Sequence, residues 1–460
     1  MQVGQRRTQH GNAALFVAAL FWAVGLGLPS LAAADRAEAR ASATERQDEP
    51  RTEPSQQLAS RLLEQSGVRG GLVVHVGCGD GRLTVALRAN DSFLVHGLDT
   101  DPALVQQARL LITRAGLYGP VSVDTFDGRH LPYIDQTVNL LVVEQLAELS
   151  RDELLRVLVP GGVALIRNGD GWQKLVKPRA AELDEWTHFL HGPDNNAVSQ
   201  DKLVDFPFHI QWSGRPEHSR HHGIASSVHT MVSAGGRLFY VMDEGPTALP
   251  YHLPARWHLV ARDAFNGVVL WRRPLQVWQP HVIKGRKSIA ADLWRRLVAT
   301  KDEVYTTLTI FGPVVALDAA TGQLLRTYDG TERTEEIVFE NGVLYLLATT
   351  RPAEAIDRRQ LAQLRTRPDQ KRLLAVDAAT GRVLWTKQDP DTFGVQPTTL
   401  AVKDGRLCFQ NTRAVVCLEA TNGQVRWRFE RPSPFARPST STPTLVLAED
   451  VVLSADLVDG

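Results

Sequence analysis

Cysteine is nearly absent: 460 residues hold three, at Cys78, Cys408 and Cys417. None falls in a Cys-x-x-Cys spacing, which leaves no thiolate zinc site, dithiol redox motif or covalent c-type haem attachment to expect. Excess charge is absent too, since 51 Lys and Arg balance 51 Asp and Glu. No segment clusters basic residues as a phosphate backbone requires, so nucleic acid is not an expected partner. No metal site is assigned. Beyond residue 34 no apolar run approaches the roughly 20 residues that span a bilayer, so no transmembrane helix is expected after removal of the leader.

The leader itself is legible. Arg6 and Arg7 precede an apolar run from Ala13 to Leu28, followed by Pro29 and Ala32-Ala33-Ala34. That order reads as a secretory signal over 1–34, and it predicts an exported protein of the periplasm or cell envelope. Residues 35–57 are polar, rich in Glu and Arg and free of aromatics, and read as a disordered linker.

From 58 to 168 strand and helix patterns alternate, which predicts a parallel sheet with helices on its faces. The strand candidates are 72–76, 93–98, 121–125, 138–143 and 163–167. Asp101-Pro102 starts a helix that Gly116 stops, and Ser150 with Glu153 reads as a capping box for the next. After the first strand comes Gly77-Cys78-Gly79-Asp80-Gly81, where bare backbone can bend sharply and approach a ligand. Asp99 ends the second strand, 18 residues beyond Gly81, where a carboxylate can accept from ribose hydroxyls. Asp127-Gly128 and Leu131-Pro132 follow, and Pro160-Gly161-Gly162 precedes the fifth strand.

This series of motifs resembles class I S-adenosylmethionine (SAM)-dependent methyltransferases over about 58–168. The resemblance implies a Rossmann-like doubly wound α/β sheet with SAM as cofactor. By it, Gly77, Gly79 and Gly81 line the methionine portion, Asp99 holds the ribose and Asp127 reaches the adenine. Glu144, at the carboxyl end of the fourth strand, is the candidate catalytic base. The chain departs from the family in having Asn139 where Asp is usual, and Gly169-Asp170-Gly171 leads into an expected linker over 169–204 where further strands are usual.

Between Leu259 and Glu430 one pattern recurs four times: an apolar strand, an acidic residue, a short turn, a glycine and a second strand. The acidic positions are Asp263, Asp318, Asp377 and Glu419, and the glycines Gly267, Gly322, Gly381 and Gly423. Trp271, Trp385 and Trp427 stand four residues after their glycines, whereas Arg326 takes that place in the second copy. Spacings of 55, 59 and 42 residues suit propeller blades with insertions. Each tryptophan is expected to pack between blades. Residues 206–212 resemble an outer strand without its own blade, and 444–457 the opening strands of a fifth.

The repeat resembles the pyrroloquinoline-quinone (PQQ) type of quinoprotein propellers. It implies an all-β propeller over 205–460, an incomplete ring of about four blades plus the start of a fifth. Such dehydrogenases tend to carry an adjacent-cysteine disulfide, which this chain lacks, so PQQ itself is not expected. His188-x-x-His191 and His221-His222 lie in a His-rich stretch read as a polar connection packed on the propeller. Cys408 and Cys417 flank a hairpin centred on Thr412-Arg413, which places them opposite one another, bonded or reduced.

Three functions fit these modules. One is an exported methyltransferase whose propeller recruits a protein or small-molecule methyl acceptor. The others are a non-enzymatic envelope scaffold and a quinoprotein dehydrogenase.

Overall fold

The computed structural model describes residues 53–145, 148–204, 209–215, 228–246, 255–276, 278, 295–351, 368–396, 398–432 and 443–454. The expected export signal, His221-His222 and residues 206–208 lie outside them. So do residues 455–457.

The first module is a six-stranded sheet in the order β3-β2-β1-β4-β5-β6. Its strands are β1 (Gly71–Val76), β2 (Phe93–Asp99), β3 (Val121–Thr125), β4 (Val138–Val143), β5 (Leu158–Asn168) and β6 (Gly171–Val176). The first five are parallel, and β6 returns antiparallel to β5. Val73, Leu140, Val142 and Leu165 face α1 (Glu53–Ser66), α2 (Arg82–Ala86) and α3 (Pro102–Arg114). Val74, Val76, Leu141 and Ala164 face the other way, toward Leu154 and Val157 of α4 (Arg151–Val157). Burial on both faces explains the nearly continuous apolar runs of the central strands.

Three sequence expectations are corrected here. Helix α1 starts at Glu53, so the last five residues of the expected linker are ordered; the helix docks Ala59 and Leu62 into the core. The stretch after Asn168 is a hairpin that adds β6 to the sheet. Ser150 caps α4 by accepting from the Glu153 amide, but the box is half made, because the Glu153 carboxylate accepts from Leu131 N and Arg156 instead. Asp101 caps α3 as expected, with Pro102 in its first turn.

Among the described residues four antiparallel four-stranded sheets and one two-stranded sheet follow. The first sheet holds β7 (Val228–Ala234), β8 (Arg237–Asp243), β9 (Trp257–Asp263) and β10 (Val269–Pro274). The second holds β11 (Leu297–Ala299), β12 (Glu303–Thr307), β13 (Val314–Asp318) and β14 (Leu324–Tyr328). The third holds β15 (Thr334–Glu340), β16 (Val343–Thr349), β17 (Lys371–Asp377) and β18 (Val383–Lys387). The fourth holds β19 (Ala401–Lys403), β20 (Arg406–Gln410), β21 (Ala414–Glu419) and β22 (Val425–Glu430), and the fifth β23 (Leu445–Ala448) and β24 (Val451–Ser454). The first strands of successive sheets, β7, β11, β15, β19 and β23, are neighbours, so they form the inner wall of a propeller.

Residues 186–195, expected to be a linker, form an axial strap along that wall. Trp186 O accepts from Ser233 N, Thr187 O from Ala299 N, Pro193 O from Val402 N and Asp194 O from Leu447 N. His188 Nε2 accepts from Phe339 N at 3.1 Å. One amide from each of the five inner strands is thereby satisfied, as buried amides must be. Asn195 Nδ2 donates to Leu400 O and Leu445 O, while its Oδ1 accepts from the buried Arg295.

The modules meet at the amino-terminal edge of the first sheet. Asn139, at the start of β4, accepts from Leu72 N and from Asn266 Nδ2, and donates to Asp263 Oδ2 at 2.7 Å. Asn266 also donates to Thr137 O, and Ser92 Oγ donates to Leu270 O. The turn of the first blade thus seats on the ends of β1 and β4.

Candidate cofactor site

Chain order along the sheet reverses between β1 and β4, and ligands of open α/β sheets bind at the carboxyl ends of the strands beside such a reversal. Every sequence-predicted site residue lies on that edge. Gly77, Gly79 and Gly81 follow β1, Asp99 closes β2, Asp127 follows β3 and Glu144 follows β4.

Leu98 O accepts from both Gly77 N and Cys78 N, which folds the loop over the end of β2. Asp99 is then held beside the loop: Oδ2 accepts from Gly79 N at 2.9 Å and Oδ1 from Asp101 N at 3.1 Å. Only 8% of Asp99 is exposed, and its hydrogen-bond partners are backbone amides, which leave lone pairs on both oxygens unused.

The three glycines divide into separate roles. Gly79 has φ +51° and nothing within 4 Å of a would-be Cβ, so it opens to the site. A Cβ on Gly81, φ +84°, would meet Ala108 Cβ at 2.7 Å, so this glycine admits α3 to the loop. A Cβ on Gly77, φ +77°, would lie 3.5 Å from Glu144 Cβ and Gln145 N. The neighbouring Cys78 thiol is buried, and burial together with the Asp99 charge pushes it up to about 12.

Asp127 is exposed and ties its own turn, its Oδ1 accepting from Arg129 N and His130 N and its Oδ2 facing His130 Nδ1 at 2.9 Å. These bonds, the His130 amide foremost, hold its carboxyl well below the usual range. Glu144 Oε2 accepts from Arg167 at 3.0 Å, and its Oε1 lies 3.6 Å from His75 Nε2. His75 and then Arg167 hold the Glu144 carboxyl below its ordinary value.

Sequence reading passed over His75, Thr84 and Arg167. His75 is buried in β1, its Nδ1 is 2.8 Å from Thr84 Oγ1, and its Nε2 has no hydrogen-bond partner. Nothing local marks it, because a strand residue between two valines reads as core. The other histidines of note serve structure. His191 Nε2 is 2.7 Å from Asp184 Oδ2, and His188 Nε2 accepts from Phe339 N of β15, so the two do not converge on a common point. Among the described residues no cluster of three metal-ligating side chains occurs.

Comparison with known proteins agrees with this division. Residues 73–162 match the family described as methyltransferase domain, and residues 255–456 match the PQQ_2 family described as outer membrane protein assembly factor BamB. Methyltransferase GfsG of Streptomyces halstedii is 31% identical over 25% of this chain and 44% of its own length. Ribosomal protein L11 methyltransferase of Anoxybacillus flavithermus is 30% identical over 24% of this chain and 36% of its own. The chain thus spans less than half the length of these curated relatives. A solved SAM-dependent methyltransferase from Aquifex aeolicus is 25% identical over 24% of this chain and 62% of that one, with a TM-score of 0.22.

Proposed function

We propose that this chain, a SAM-dependent methyltransferase-like domain joined to a PQQ-like β-propeller domain, binds SAM at the β1–β4 edge and transfers its methyl group. The observation that carries the reading is the pairing of Asp99 with Gly79: a carboxylate with spare lone pairs, pinned by backbone alone, beside a glycine that opens to the site. Asp99 accepts from the ribose hydroxyls, the Gly77–Gly81 backbone lies along the methionine portion and Asp127 borders the adenine. When bound, SAM supplies an electrophilic methyl on a sulfonium. The protein's task is then alignment of the acceptor, which accounts for most of such an acceleration. Glu144 is the candidate to take the acceptor's proton. It is ionised at neutral pH, and its depressed pKa makes it a weak base, so positioning carries the rate.

The propeller serves as a platform for the protein that bears the acceptor, in an exported molecule directed by residues 1–34. The blade-1 turn docks at the opposite edge of the sheet, about 20 Å from the carboxyl ends by the rise of a six-residue strand. Among the described residues the propeller contact lies at that opposite edge, so the propeller works by recruitment. That same separation supports a second reading, an envelope scaffold whose first module keeps its fold without turnover.

Calorimetry with S-adenosylhomocysteine decides between them. The methyltransferase reading expects saturable heat that weakens about 100-fold in Asp99→Ala, the loss of two hydrogen bonds to a charged acceptor. A chain that gives no heat is the scaffold.

A further inference from the structure

Strand β1 sets His75 on the same face as Val73, which packs in the core shared with α2 and α3. The imidazole is 1% exposed, and a buried polar ring destabilises unless its nitrogens are matched. Room for a partner is made across the sheet. Gly97 pairs with His75 in β2, and a Cβ on it would meet Cys78 Cβ at 2.9 Å and Thr84 Cγ2 at 3.1 Å. The bare Cα leaves the space in which Thr84 of α2 reaches His75, Oγ1 to Nδ1 at 2.8 Å.

Thr84 decides which nitrogen holds the proton. Its hydroxyl is buried and has no other hydrogen-bond partner among the described residues. A proton on Nδ1 would leave that O–H without an acceptor and would turn the Nε2 lone pair toward the Glu144 carboxylate, 3.6 Å away. With the hydroxyl donating to Nδ1, the proton sits on Nε2 and points at Glu144 Oε1. Nε2 is the ring atom without a hydrogen-bond partner, so this orientation supplies its acceptor. At 3.6 Å it is an aimed donor, and such contacts tighten once substrate fills a site. The other carboxylate oxygen, Oε2, is held by Arg167 at 3.0 Å.

We infer that His75 is a positioning residue for methyl transfer: Thr84 locks it in the Nε2–H form, and with Arg167 it fixes the Glu144 carboxylate toward an N–H or O–H of the acceptor. Each carboxylate oxygen keeps a lone pair for that group, because His75 and Arg167 take one position apiece. The role given to Glu144 rests on the methyltransferase reading, whereas the order Thr84–His75–Glu144 stands without it.

Ring-labelled nitrogen-15 histidine in the 460-residue chain reads that order. In long-range proton–nitrogen correlation spectra at neutral pH, His75 is the pair of signals lost in His75→Gln and displaced by Glu144→Gln. A protonated Nε2 and a bare Nδ1 are expected. Carbon-13 glutamate then follows the Glu144 carboxyl. Its titration midpoint should rise by about one unit in His75→Leu, which removes the donor, and return toward the parent value in His75→Gln, whose amide can still donate. A proton on Nδ1 or on both nitrogens overturns the inference, and so does an equal Glu144 midpoint in the parent and the leucine variant. Glu144 is partly exposed, so Glu144→Gln keeps its fold and the parent spectrum decides even if His75→Leu does not fold. Calorimetry with S-adenosylhomocysteine on the same samples tests the cofactor reading apart. Heat together with the Nδ1–H form sinks the positioning role alone, and the Nε2–H form without heat sinks methyl transfer, and with it the purpose given to His75.

Discussion

Asn139 and Asp263 share one hydrogen bond of 2.7 Å, and it joins two modules 124 residues apart in sequence. The bond explains why an amide stands where the methyltransferase pattern usually has Asp. Asn139 must donate to Asp263 while accepting from Leu72 N and Asn266. An Asp could only accept, and two buried carboxylates would face each other. Asn139→Asp is therefore expected to cost about 2–4 kcal/mol in urea unfolding at pH 7. Burial already raises the Asp263 pKa, and a second carboxylate raises the pair further. The penalty is thus present above that raised pKa and shrinks as pH falls through it. The exchange Asn139→Asp with Asp263→Asn restores one donor and one acceptor and should recover most of the loss. A double variant no more stable than Asn139→Asp alone would refute this role.

Gly79 and Gly81 look alike in sequence but are predicted to fail differently. Alanine at Gly79 meets no neighbour, so its cost is the left-handed backbone alone, about 1 kcal/mol, and its main effect is weaker binding of S-adenosylhomocysteine. Alanine at Gly81 drives into Ala108 and should cost about 3 kcal/mol or more through displacement of α3. Thermal melts set beside calorimetry separate the two. Equal losses of stability at both positions would mean that Gly79 packs rather than opens.

The parts of this fold that sequence revealed are those whose causes are local. A glycine turn, an acidic strand end or an Asp-capped helix is written within a few residues, so the edge holding Gly79, Asp99 and Asp127 was legible, as was the repeat with its tryptophans. Strand β6 was not, because an edge strand reading Gly-Trp-Gln-Lys-Leu-Val is mostly exposed and carries little apolar pattern. The strap escaped for a stronger reason: Asn195 bonds residues 205 and 250 positions away, and no local signal encodes such partners. Its polarity resembled that of a linker, yet the polar groups there satisfy buried amides. His75 was hidden by its strand, since only the spatial approach of Glu144 and Thr84 distinguishes it from core.

Cys408 and Cys417 are direct cross-strand partners in β20 and β21, as the turn at Thr412-Arg413 required, and both are free and buried with sulfurs 2.7 Å apart. Oxidised glutathione should convert them to a disulfide, each thiol losing one hydrogen and glutathione being reduced to two thiols. Alkylation after denaturation should then label Cys78 alone of the three cysteines. The crosslink is expected to add about 2 kcal/mol of stability, given its short loop. Three labelled thiols after such treatment would show that the pair stays reduced.

The strap also gives the propeller a predictable response to acid. His188 is buried with its Nε2 accepting from Phe339 N, so it must be neutral, and burial, with Arg295 nearby, pushes it down to about 3. An unfolded histidine titrates near 6.5. Between those values the unfolded chain holds a proton that the folded chain refuses, so the contribution is complete above about pH 6.5 and is lost as pH falls toward 3. The slope is about 1.4 kcal/mol per unit, or about 2 kcal/mol between pH 6.5 and 5. Glutamine at position 188 can still accept from Phe339 N but does not titrate. His188→Gln should therefore show a smaller loss of unfolding free energy between pH 7 and 5 than the parent, by about that amount, even if it is less stable at pH 7. Equal losses in the two proteins would place the His188 proton elsewhere and detach the strap from the acid response.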